Sequence, residues 1–549
     1  MIRIRYSRLP HSLENTDNIP PTFQDEHLLV VDWMAGSLPR INCLGQENSQ
    51  IPNVMEFSDK VRGNPYSTTQ PLDSGGRGVL KSMAGKKNKP KKTEDSLLTP
   101  PGSAVKTPAT ETDADTGAMQ VDDEELKVYL PGMSLAEGEV LEVDPSAYVM
   151  LHELNAEWPC LSFDIVRDGG AEERTAFPME GCLVTGTQAD RRNKNQLMML
   201  RYTNLHKTQV KDETEEDNEM DSEESEEEEE EEEGSTKKDP RHYCIAIPHD
   251  GGVNRVRSKN VVSADGGLQN VLAASWSDTG RVHIWDLQSA YNELYAISPD
   301  TPSTMLKRTV NPAFSVTKHK TEGFALSWGP LVSGRLVSGD CNGQICLTEA
   351  SLDRIETVGE TFRGHSGSVE DLQWSPSEAT VFASSSVDRT VRIWDIRLPR
   401  HQSALSATVH DSDVNVLSWN RHATHMIATG ADDGSFATWD LRRWAPNSEG
   451  GDALSRFTWH RDAVTSIEWS PHDVSVLAVA GADDQLTIWD FEVEESSNEV
   501  LDGRTVPSQL LFIHQGQKEI KELHWHPQLS GVLVSTALSG FNIFKTISV

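Results

Sequence analysis

The sequence contains few cysteines and no long apolar run. Six cysteines are scattered over 549 residues, and none of them belongs to a C-x-x-C pair. In a chain of this length, such scattered cysteines predict reduced, mostly buried thiols, as in cytosolic or nuclear proteins. The longest apolar run near the start, Leu28 to Val31, is too short for a signal-peptide core, and no segment is long enough to span a bilayer.

Apolar residues and positive charges are also scarce. Hydrophobic residues make up 36% of the chain, which is low for a globular protein and indicates that a large part of the chain is not packed core. Lysine and arginine number 50 against 85 aspartate and glutamate residues, which gives a formal net charge of −35. This balance disfavours direct binding to nucleic acid or to an anionic membrane, because both would repel the protein. It favours a basic protein partner.

The excess negative charge is concentrated in two segments. Seventeen acidic residues and no lysine or arginine lie between Asp212 and Glu233, and seven more acids lie between Glu111 and Glu125. Because like charges repel and little is available to bury, both segments are predicted to be disordered. Two interpretations stay open, a solubilising loop or a docking arm for a basic client that weakens as salt rises. The candidate client-binding residues are Asp212, Glu213, Glu215, Glu216, Asp217, Glu219, Asp221, Glu223, Glu224, Glu226, Glu227, Glu228, Glu229, Glu230, Glu231, Glu232 and Glu233.

A lysine-rich patch is a candidate nuclear-import signal. It consists of Lys86, Lys87, Lys89, Lys91 and Lys92. We expect residues 1–82 to be a poorly structured extension of unknown role and residues 83–127 to be a disordered linker, first basic and then acidic. Residues 128–155 are expected to form a lead-in and a helix, and residues 156–549 the folded domain, with a disordered acidic loop at 212–239.

Three segments of the chain repeat one spacing of histidine, aspartate and tryptophan. In each, the aspartate follows the histidine by 23 residues and the tryptophan follows it by 29. The nine residues are His365, Asp388 and Trp394; His410, Asp433 and Trp439; and His460, Asp483 and Trp489. Successive units lie 45 to 50 residues apart, which is typical of a four-stranded propeller blade. Such small sheets are apolar on both faces and must stack on neighbours.

These units resemble WD repeats. The resemblance implies a hydrogen-bonded network inside each blade, in which the histidine, aspartate and tryptophan join a serine or threonine; in the first unit it comes from Ser384–Ser386. A buried histidine and aspartate satisfy each other in such a network, so we interpret these residues as structural rather than catalytic.

Weaker copies of the pattern predict further blades. One ends in the segment 282–286, and another starts at His319 but has Asn342 and Thr348 where aspartate and tryptophan are expected. The last has Phe544 in the tryptophan position. With an atypical blade from residues 156–205, the sequence predicts an all-β, seven-bladed WD-repeat β-propeller, closed by one strand from each end of the chain.

A short helix is expected before the propeller. Asp144 suits an N-cap and Pro145 suits the first helical position. One apolar stripe follows at helical spacing: Ala147, Met150, Leu151 and Leu154. Two roles stay open for this helix. It packs against the propeller, or it forms one wall of a groove for a partner helix.

Motifs for catalysis are incomplete. Thr187 and Gln188 follow a G-x-x-x-x-G spacing in place of the lysine and serine or threonine of a P-loop, and His152-Glu153 lacks the second histidine of H-E-x-x-H. No cysteine and histidine cluster has zinc spacing. We therefore expect a binding scaffold without catalytic residues, cofactor or metal.

The order of parts resembles the glutamate-rich WD-repeat proteins. The motif Val128–Gly132 is followed by Tyr148–His152, then Trp158–Asp164, then the glutamate tract and the blades, so the resemblance covers about residues 121–549. It implies a factor of ribosome biogenesis that is located in the nucleus and nucleolus and shuttles through the cytoplasm. The implied client is a basic ribosomal protein, the third of the large subunit, which the family escorts to the pre-60S particle.

Two alternative functions stay open. Residues 148–164 also resemble the start of the histone-binding WD-repeat proteins, which implies a histone chaperone or chromatin factor. The third hypothesis is a substrate receptor of a cullin ubiquitin ligase, because the blade ends carrying Arg397 and Arg442 match the W-D-x-R pattern of such receptors. For the first two, the expected mechanism combines a grip by the top face of the propeller with charge neutralisation by the acids at 212–233.

Overall fold

The computed structural model describes residues 131, 143–170, 172–208, 239–262, 268–350, 354–444, 452–494, 499–501 and 504–549. The strands are β1 (Tyr148–Asn155), β2 (Ser162–Val166), β3 (Met179–Gly186), β4 (Gln196–Leu205), β5 (Arg241–Pro248), β6 (Val253–Val262), β7 (Leu268–Ser277), β8 (Arg281–Asp286), β9 (Thr304–Lys307), β10 (Phe314–Val316), β11 (Ala325–Trp328), β12 (Arg335–Gly339), β13 (Gln344–Ala350), β14 (Ile355–Arg363), β15 (Val369–Trp374), β16 (Val381–Ser386), β17 (Thr390–Asp395), β18 (Leu405–Thr408), β19 (Val414–Trp419), β20 (Met426–Ala431), β21 (Phe436–Asp440), β22 (Ser455–Phe457), β23 (Val464–Trp469), β24 (Val476–Gly481), β25 (Gln485–Asp490), β26 (Glu499–Leu501), β27 (Arg504–Val506), β28 (Leu510–His514), β29 (Glu522–Trp525), β30 (Val532–Ala537) and β31 (Gly540–Thr546). The helices are one α-helix, α1 (Gln288–Tyr295), and the 3-10 helices Pro145–Ala147, Arg192–Lys194 and Leu441–Arg443.

Seven sheets of four or five strands form the blades of a propeller. From inner to outer strand they are blade 1 (β2-β3-β4-β5-β9), blade 2 (β6-β7-β8-β10), blade 3 (β11-β12-β13-β14), blade 4 (β15-β16-β17-β18), blade 5 (β19-β20-β21-β22), blade 6 (β23-β24-β25-β28) and blade 7 (β29-β30-β31-β1). The first strand of each blade contacts the first strand of the next, and β29 contacts β2. The predicted seven-bladed WD-repeat propeller is therefore confirmed.

The propeller closes through a strand that we expected to be a helix. Only Pro145–Ala147 forms a helical turn, which the Asp144 carboxylate caps by accepting from the Ser146 amide at 2.9 Å. The chain from Tyr148 to Asn155 is β1, which pairs antiparallel with β31 at the C-terminus. The helix prediction over this segment is wrong, and the propeller begins at residue 148 rather than 156.

The physical reason is the open edge of β31. The backbone groups of that edge need partners, and pairing with β1 supplies them, which outweighs a weak local preference for helix. The stripe residues also suit the strand: Met150 is fully buried against Val534 and Phe541 of the same blade. The expectation that one strand from each end closes the ring is confirmed.

The core consists of seven apolar clusters, one at each junction between neighbouring blades. One example joins blade 4 to blade 5 through Ile393, Trp419 and Trp439. Another joins blade 7 to blade 1 through Ile543 and Leu183. Each blade thus buries both of its faces, as the apolar repeats require, and burial of apolar area at roughly 25 cal/mol per Å² stabilises the ring.

The described cysteines are buried, as expected. They are Cys160, Cys182, Cys244, Cys341 and Cys346. Burial raises the pKa of Cys160 to about 11 and that of Cys346 to about 12, so these thiols stay protonated and unreactive. Among the described helices, none has the length and apolar character needed to cross a membrane.

Candidate functional site

The inner strands all run in the same direction, which gives the propeller two distinct faces. At the end of the inner strands of blades 4 and 6, a tryptophan amide bonds to the preceding inner strand: the Trp374 amide donates to Ser327 Oγ and the Trp469 amide to Ser418 Oγ, both at 3.1 Å. We call the face where the inner strands begin the top face and the face where they end the bottom face. Turns between the second and third strands lie on the top face, and those between the third and fourth strands on the bottom face.

The first repeated unit forms the expected network in blade 4. His365 Nδ1 donates to Asp388 at 2.9 Å, and His365 Nε2 lies 2.6 Å from Ser384 Oγ. The Trp394 indole N–H donates to the same hydroxyl at 2.8 Å. Burial alone would raise the pKa of Asp388, but hydrogen bonds from His365 and neighbouring groups outweigh it and lower that pKa. The network ties the top turn of the blade, and the loop before its inner strand, to its second and third strands.

Blade 6 brings the same three residue types together with a different fourth member. His460 Nδ1 lies 2.9 Å from Asp483, and its Nε2 lies 3.0 Å from Thr487 Oγ1. The Trp489 indole donates to Thr487 at 2.8 Å. The threonine comes from the third strand, β25, rather than from the second strand as in blade 4.

Blade 5 does not bring Asp433 into contact with His410. His410 Nδ1 instead lies 3.0 Å from Ser435 Oγ, and the Ser435 amide donates to Asp433 Oδ1 at 2.9 Å. The other side of the ring follows the pattern, with His410 Nε2 2.8 Å from Thr429 Oγ1, which also accepts from Trp439. The expected direct pair is therefore wrong here, because a serine two residues after the aspartate reaches the histidine first.

Three further networks escaped the sequence pattern. In blade 2, His249 Nε2 lies 2.9 Å from Ser275 Oγ, which accepts from Trp285. In blade 3, His319 pairs at 2.9 Å with Asp340 rather than with the expected position, Asn342. The histidine-to-aspartate spacing is 21 residues there, so a pattern fixed at 23 misses the aspartate.

The C-terminal network uses residues from both ends of the chain. His514 stacks on Phe544, the residue in the tryptophan position, with 4.1 Å between ring centroids. Its Nδ1 is bonded to the Tyr148 hydroxyl at 2.8 Å and its Nε2 to Asn542 at 3.3 Å. The repeat pattern carries no signal for this set, because Tyr148 lies in the segment for which a helix is expected.

Aspartates crowd the top face on blades 5 and 6. Asp411, Asp432, Asp433 and Asp462 are exposed in the turns of these blades, and no described ion pair neutralises them. Backbone hydrogen bonds hold the turns, such as the Asp432 amide donating to Asp413 O at 3.0 Å. A nearby pair at the rim, Lys518 and Asp484, is joined at 3.0 Å. Blades 5 and 6 therefore present an acidic patch on the top face, in which these four carboxylates outnumber the exposed Arg461, and such a patch favours a basic polypeptide.

The channel between the inner strands contains a buried charge network. Glu522, which is 1% exposed, lies 2.5 Å from Arg255 and 2.7 Å from Arg257. His524 lies 2.9 Å from Glu468. Burial disfavours the charged imidazole, but Glu468 and Glu522 outweigh that effect and raise the pKa of His524 to about 10. These charges compensate one another and lock blades 2, 6 and 7 together.

The two candidate adaptor-binding arginines lie on the bottom face. Arg397 pairs with Asp395 at 2.5 Å and Arg442 pairs with Asp440 at 2.7 Å, while the arginine side chains keep 68% and 67% of their exposure. Each aspartate belongs to the same W-D-x-R motif, so the motif orients its own arginine. Adaptor binding itself stays a prediction.

Several predicted segments fall outside the described residues. These are the extension at 1–82, the linker at 83–127 with its lysine patch, and the acidic residues from Asp212 to Glu233. The last described residue before the acidic tract is Thr208, and the first one after it is Asp239. Thr208 accepts from the Leu151 amide at 2.8 Å, so this last described residue before the tract lies beside β1, where blades 1 and 7 meet. Within the described ranges no group of three or more potential ligands is placed to hold a metal ion.

Two sequence families match parts of the chain. Residues 138–206 match a family described as histone-binding protein RBBP4 or a subunit of the CAF1 complex. Residues 357–395 and 451–490 match the WD domain, G-beta repeat. The first match includes β1 to β4, and the other two include the three inner strands of blades 4 and 6.

Full-length relatives cover most of the chain. It is 43% identical over 427 residues to ribosome assembly protein rrb1 of Schizosaccharomyces pombe, covering 76% of this chain and 84% of the relative. It is 43% identical over 428 residues to glutamate-rich WD repeat-containing protein 1 of Dictyostelium discoideum, covering 76% and 85%. It is 40% identical over 444 residues to protein HEAT STRESS TOLERANT DWD 1 of Arabidopsis thaliana, covering 77% and 92%. None of these names states a reaction.

Proposed function

The chain belongs to the glutamate-rich WD-repeat protein family, and from this membership we propose that it acts in ribosome assembly as a non-catalytic chaperone of a basic ribosomal protein. The client is the third protein of the large subunit, which it binds and escorts to the pre-60S particle. The observation that carries the proposal is the 43% identity to a relative named for ribosome assembly, over most of both chains.

The top face supports the choice of a basic client. Asp411, Asp432 and Asp462 are exposed on the turns of blades 5 and 6, on a ring held rigid by the blade networks. A rigid acidic surface orients the client as well as attracting it, whereas a polyanionic segment without fixed structure supplies attraction alone. In this mechanism the top face grips one segment of the client, and the acids from Asp212 to Glu233 neutralise the rest of its basic surface until RNA displaces them.

The setting of this function is the nucleus and nucleolus, with shuttling through the cytoplasm. The lysine patch at 86–92 is the proposed import signal. No membrane and no direct sequence-specific contact with nucleic acid is involved, because a net charge of −35 opposes both.

A histone client is the second candidate function. The specific observation in its favour is the match of residues 138–206 to a family described as histone-binding. Histones are also basic, so the acidic top face is compatible with either client. Over most of its length the chain resembles a protein named for ribosome assembly, so we place the ribosomal client first.

Purification from cells tests this assignment. Tagged protein is isolated at low and at moderate salt, and the co-purifying proteins are identified by mass spectrometry. One dominant large-subunit ribosomal protein, lost as salt rises, is the expected result. Core histones as the dominant partners would favour the second candidate, and a partner set with neither would contradict both.

A further inference from the structure

The bottom end of the channel holds a cavity of about 620 Å³. Its wall includes the ends of the inner strands and the proline-containing segments that follow them, such as those of Pro330, Pro376, Pro471 and Pro527. A cavity of this size lies within the range that holds small-molecule ligands, roughly 300 to 1,000 Å³. It lies at the opposite end of the channel from the acidic top face.

The carboxylates in this cavity already have partners. Asp164 accepts from the Ser258 amide at 2.6 Å, and Asp371 accepts from the Leu417 amide at 3.1 Å. Glu468 accepts from His524 and from the Trp525 amide, and Glu522 is held between two arginines. These acids are therefore committed to holding the inner strands together.

The cations at the mouth of the cavity are less well compensated. Lys259 Nζ donates only to the carbonyl oxygens of Gly329 and Pro330 among the described residues, at 2.9 and 3.4 Å. Arg421 is exposed and has no hydrogen bond or ion pair within the described part of the chain. Arg167 pairs with Glu172, whose side chain is 59% exposed. Three cationic side chains thus lie at the mouth of the cavity, in a protein with a large excess of acidic residues.

The electrostatics of Lys259 agree with this geometry. Burial lowers the pKa of its ammonium group, and repulsion from Arg167 and Arg421 lowers it further. Three cations that repel one another in a partly buried site carry a cost that a bound anion would remove.

His524 also lines the cavity, but it belongs to the buried charge network. Its Nδ1 lies 2.9 Å from Glu468, and its buried Nε2 faces Glu522 Oε1 at 3.7 Å. The two glutamates balance its charge, so the place for an anion is the mouth of the cavity, beside Lys259, Arg421 and Arg167.

We propose that this cavity binds a compact polyphosphate, with Lys259, Arg421 and Arg167 holding phosphate groups at its mouth. Several phosphate groups supply enough negative charge to balance the three cations. An arginine guanidinium also donates two parallel hydrogen bonds to two oxygens of one phosphate. The limited volume favours a small molecule over a chain segment. The proposal does not depend on the client, because the site is on the opposite face from the acidic surface.

Calorimetric titration of the full chain with inositol hexakisphosphate at about 150 mM salt tests the proposal. We expect saturable binding with a Kd in the micromolar range. The double variant Lys259→Ala and Arg421→Ala is expected to weaken binding at least about tenfold. A matched control, Lys320→Ala and Arg461→Ala, removes two exposed cations from top-face turns and is expected to bind as wild type does.

Other outcomes overturn the proposal. They are absence of binding by the wild-type chain, equal loss in the two double variants, or tighter binding of a hexaglutamate peptide, which would indicate an acidic peptide ligand instead. Melting curves of both variants establish that they fold. If the double variant is unstable, Arg421→Glu alone supplies the test, because that side chain is exposed and a charge reversal there must still weaken binding.

Discussion

The Tyr148 hydroxyl lies 2.8 Å from His514 Nδ1, although 366 residues separate the two in the chain. Tyr148 begins the outer strand of blade 7, and His514 ends the outer strand of blade 6. The tyrosine ring also packs edge-on against Phe512 and Phe544. This contact fixes the closing strand at the seam of the ring.

Removing the seam hydroxyl should destabilise the whole propeller. Tyr148→Phe keeps the ring packing but leaves His514 Nδ1 buried without its partner, which costs about 1–3 kcal/mol. We expect a lower melting temperature in thermal unfolding, with Ile547→Ala as a control because Ile547 is 66% exposed. An unchanged melting temperature for Tyr148→Phe would mean that the seam bond does not contribute to closure.

The two aspartates at equivalent sequence positions should differ in importance. Asp388→Ala removes the carboxylate partner of the buried His365 ring, which its lowered pKa keeps neutral, and should cost about 1.5–3 kcal/mol. Asp433→Ala removes a carboxylate that bonds only to Ser435 among the described residues, and about 1 kcal/mol is expected. Denaturant unfolding of both variants measures the difference. Equal losses would contradict the altered network in blade 5.

Stability should fall between pH 7 and pH 5. Burial lowers the pKa values of His410 and His514 to about 4, so both rings stay neutral in the folded chain while the unfolded chain takes up protons below about 6.5. The unfolded state therefore gains protons first, and each buried ring should cost about 1–2 kcal/mol by pH 5.

His524 should act in the opposite direction at high pH. Its folded pKa of about 10 lies above the unfolded value, so the stability that it contributes is present below about 6.5 and is lost as the pH rises toward 10. Thermal unfolding from pH 5 to pH 10 should thus show a maximum near neutrality. A His514→Gln variant with an undiminished acid slope would contradict the assignment for that residue.

Both acidic surfaces should contribute to client binding. Deletion of residues 212–233, and separately Asp411→Asn with Asp432→Asn and Asp462→Asn, should each weaken binding to the purified client by about tenfold at low salt, and by less as salt rises. The matched control for the triple variant is Glu378→Gln, Glu492→Gln and Glu494→Gln, which removes three exposed charges from bottom-face turns. Client binding and solubility that are unchanged in both acidic variants would contradict the proposed mechanism.

The adaptor hypothesis has its own test. Arg397→Ala with Arg442→Ala should reduce capture of a cullin ligase adaptor in a pull-down, because both guanidinium groups are about two-thirds exposed on the bottom face. Each arginine pairs with the aspartate of its own motif while remaining largely solvated, so little stability should be lost. If the double variant captures as much adaptor as wild type, the W-D-x-R motifs only close their own turns.

The sequence by itself determined the seven blades, because identical spacing of His365, Asp388 and Trp394 and of His460, Asp483 and Trp489 reflects one local hydrogen-bonded unit. It also determined the excess of acid and the family. Tertiary structure alone decided that Tyr148–Asn155 is a strand. The edge of β31 with which it pairs forms only when the last blade has folded. It likewise decided that Ser435 replaces Asp433 beside His410, and that Glu522 joins Arg255 and Arg257 across 265 to 267 residues. The serine differs from the aspartate by only two positions, so spacing alone does not say which of them reaches the histidine. The Glu522 contacts join different blades around the channel, so no local spacing encodes them.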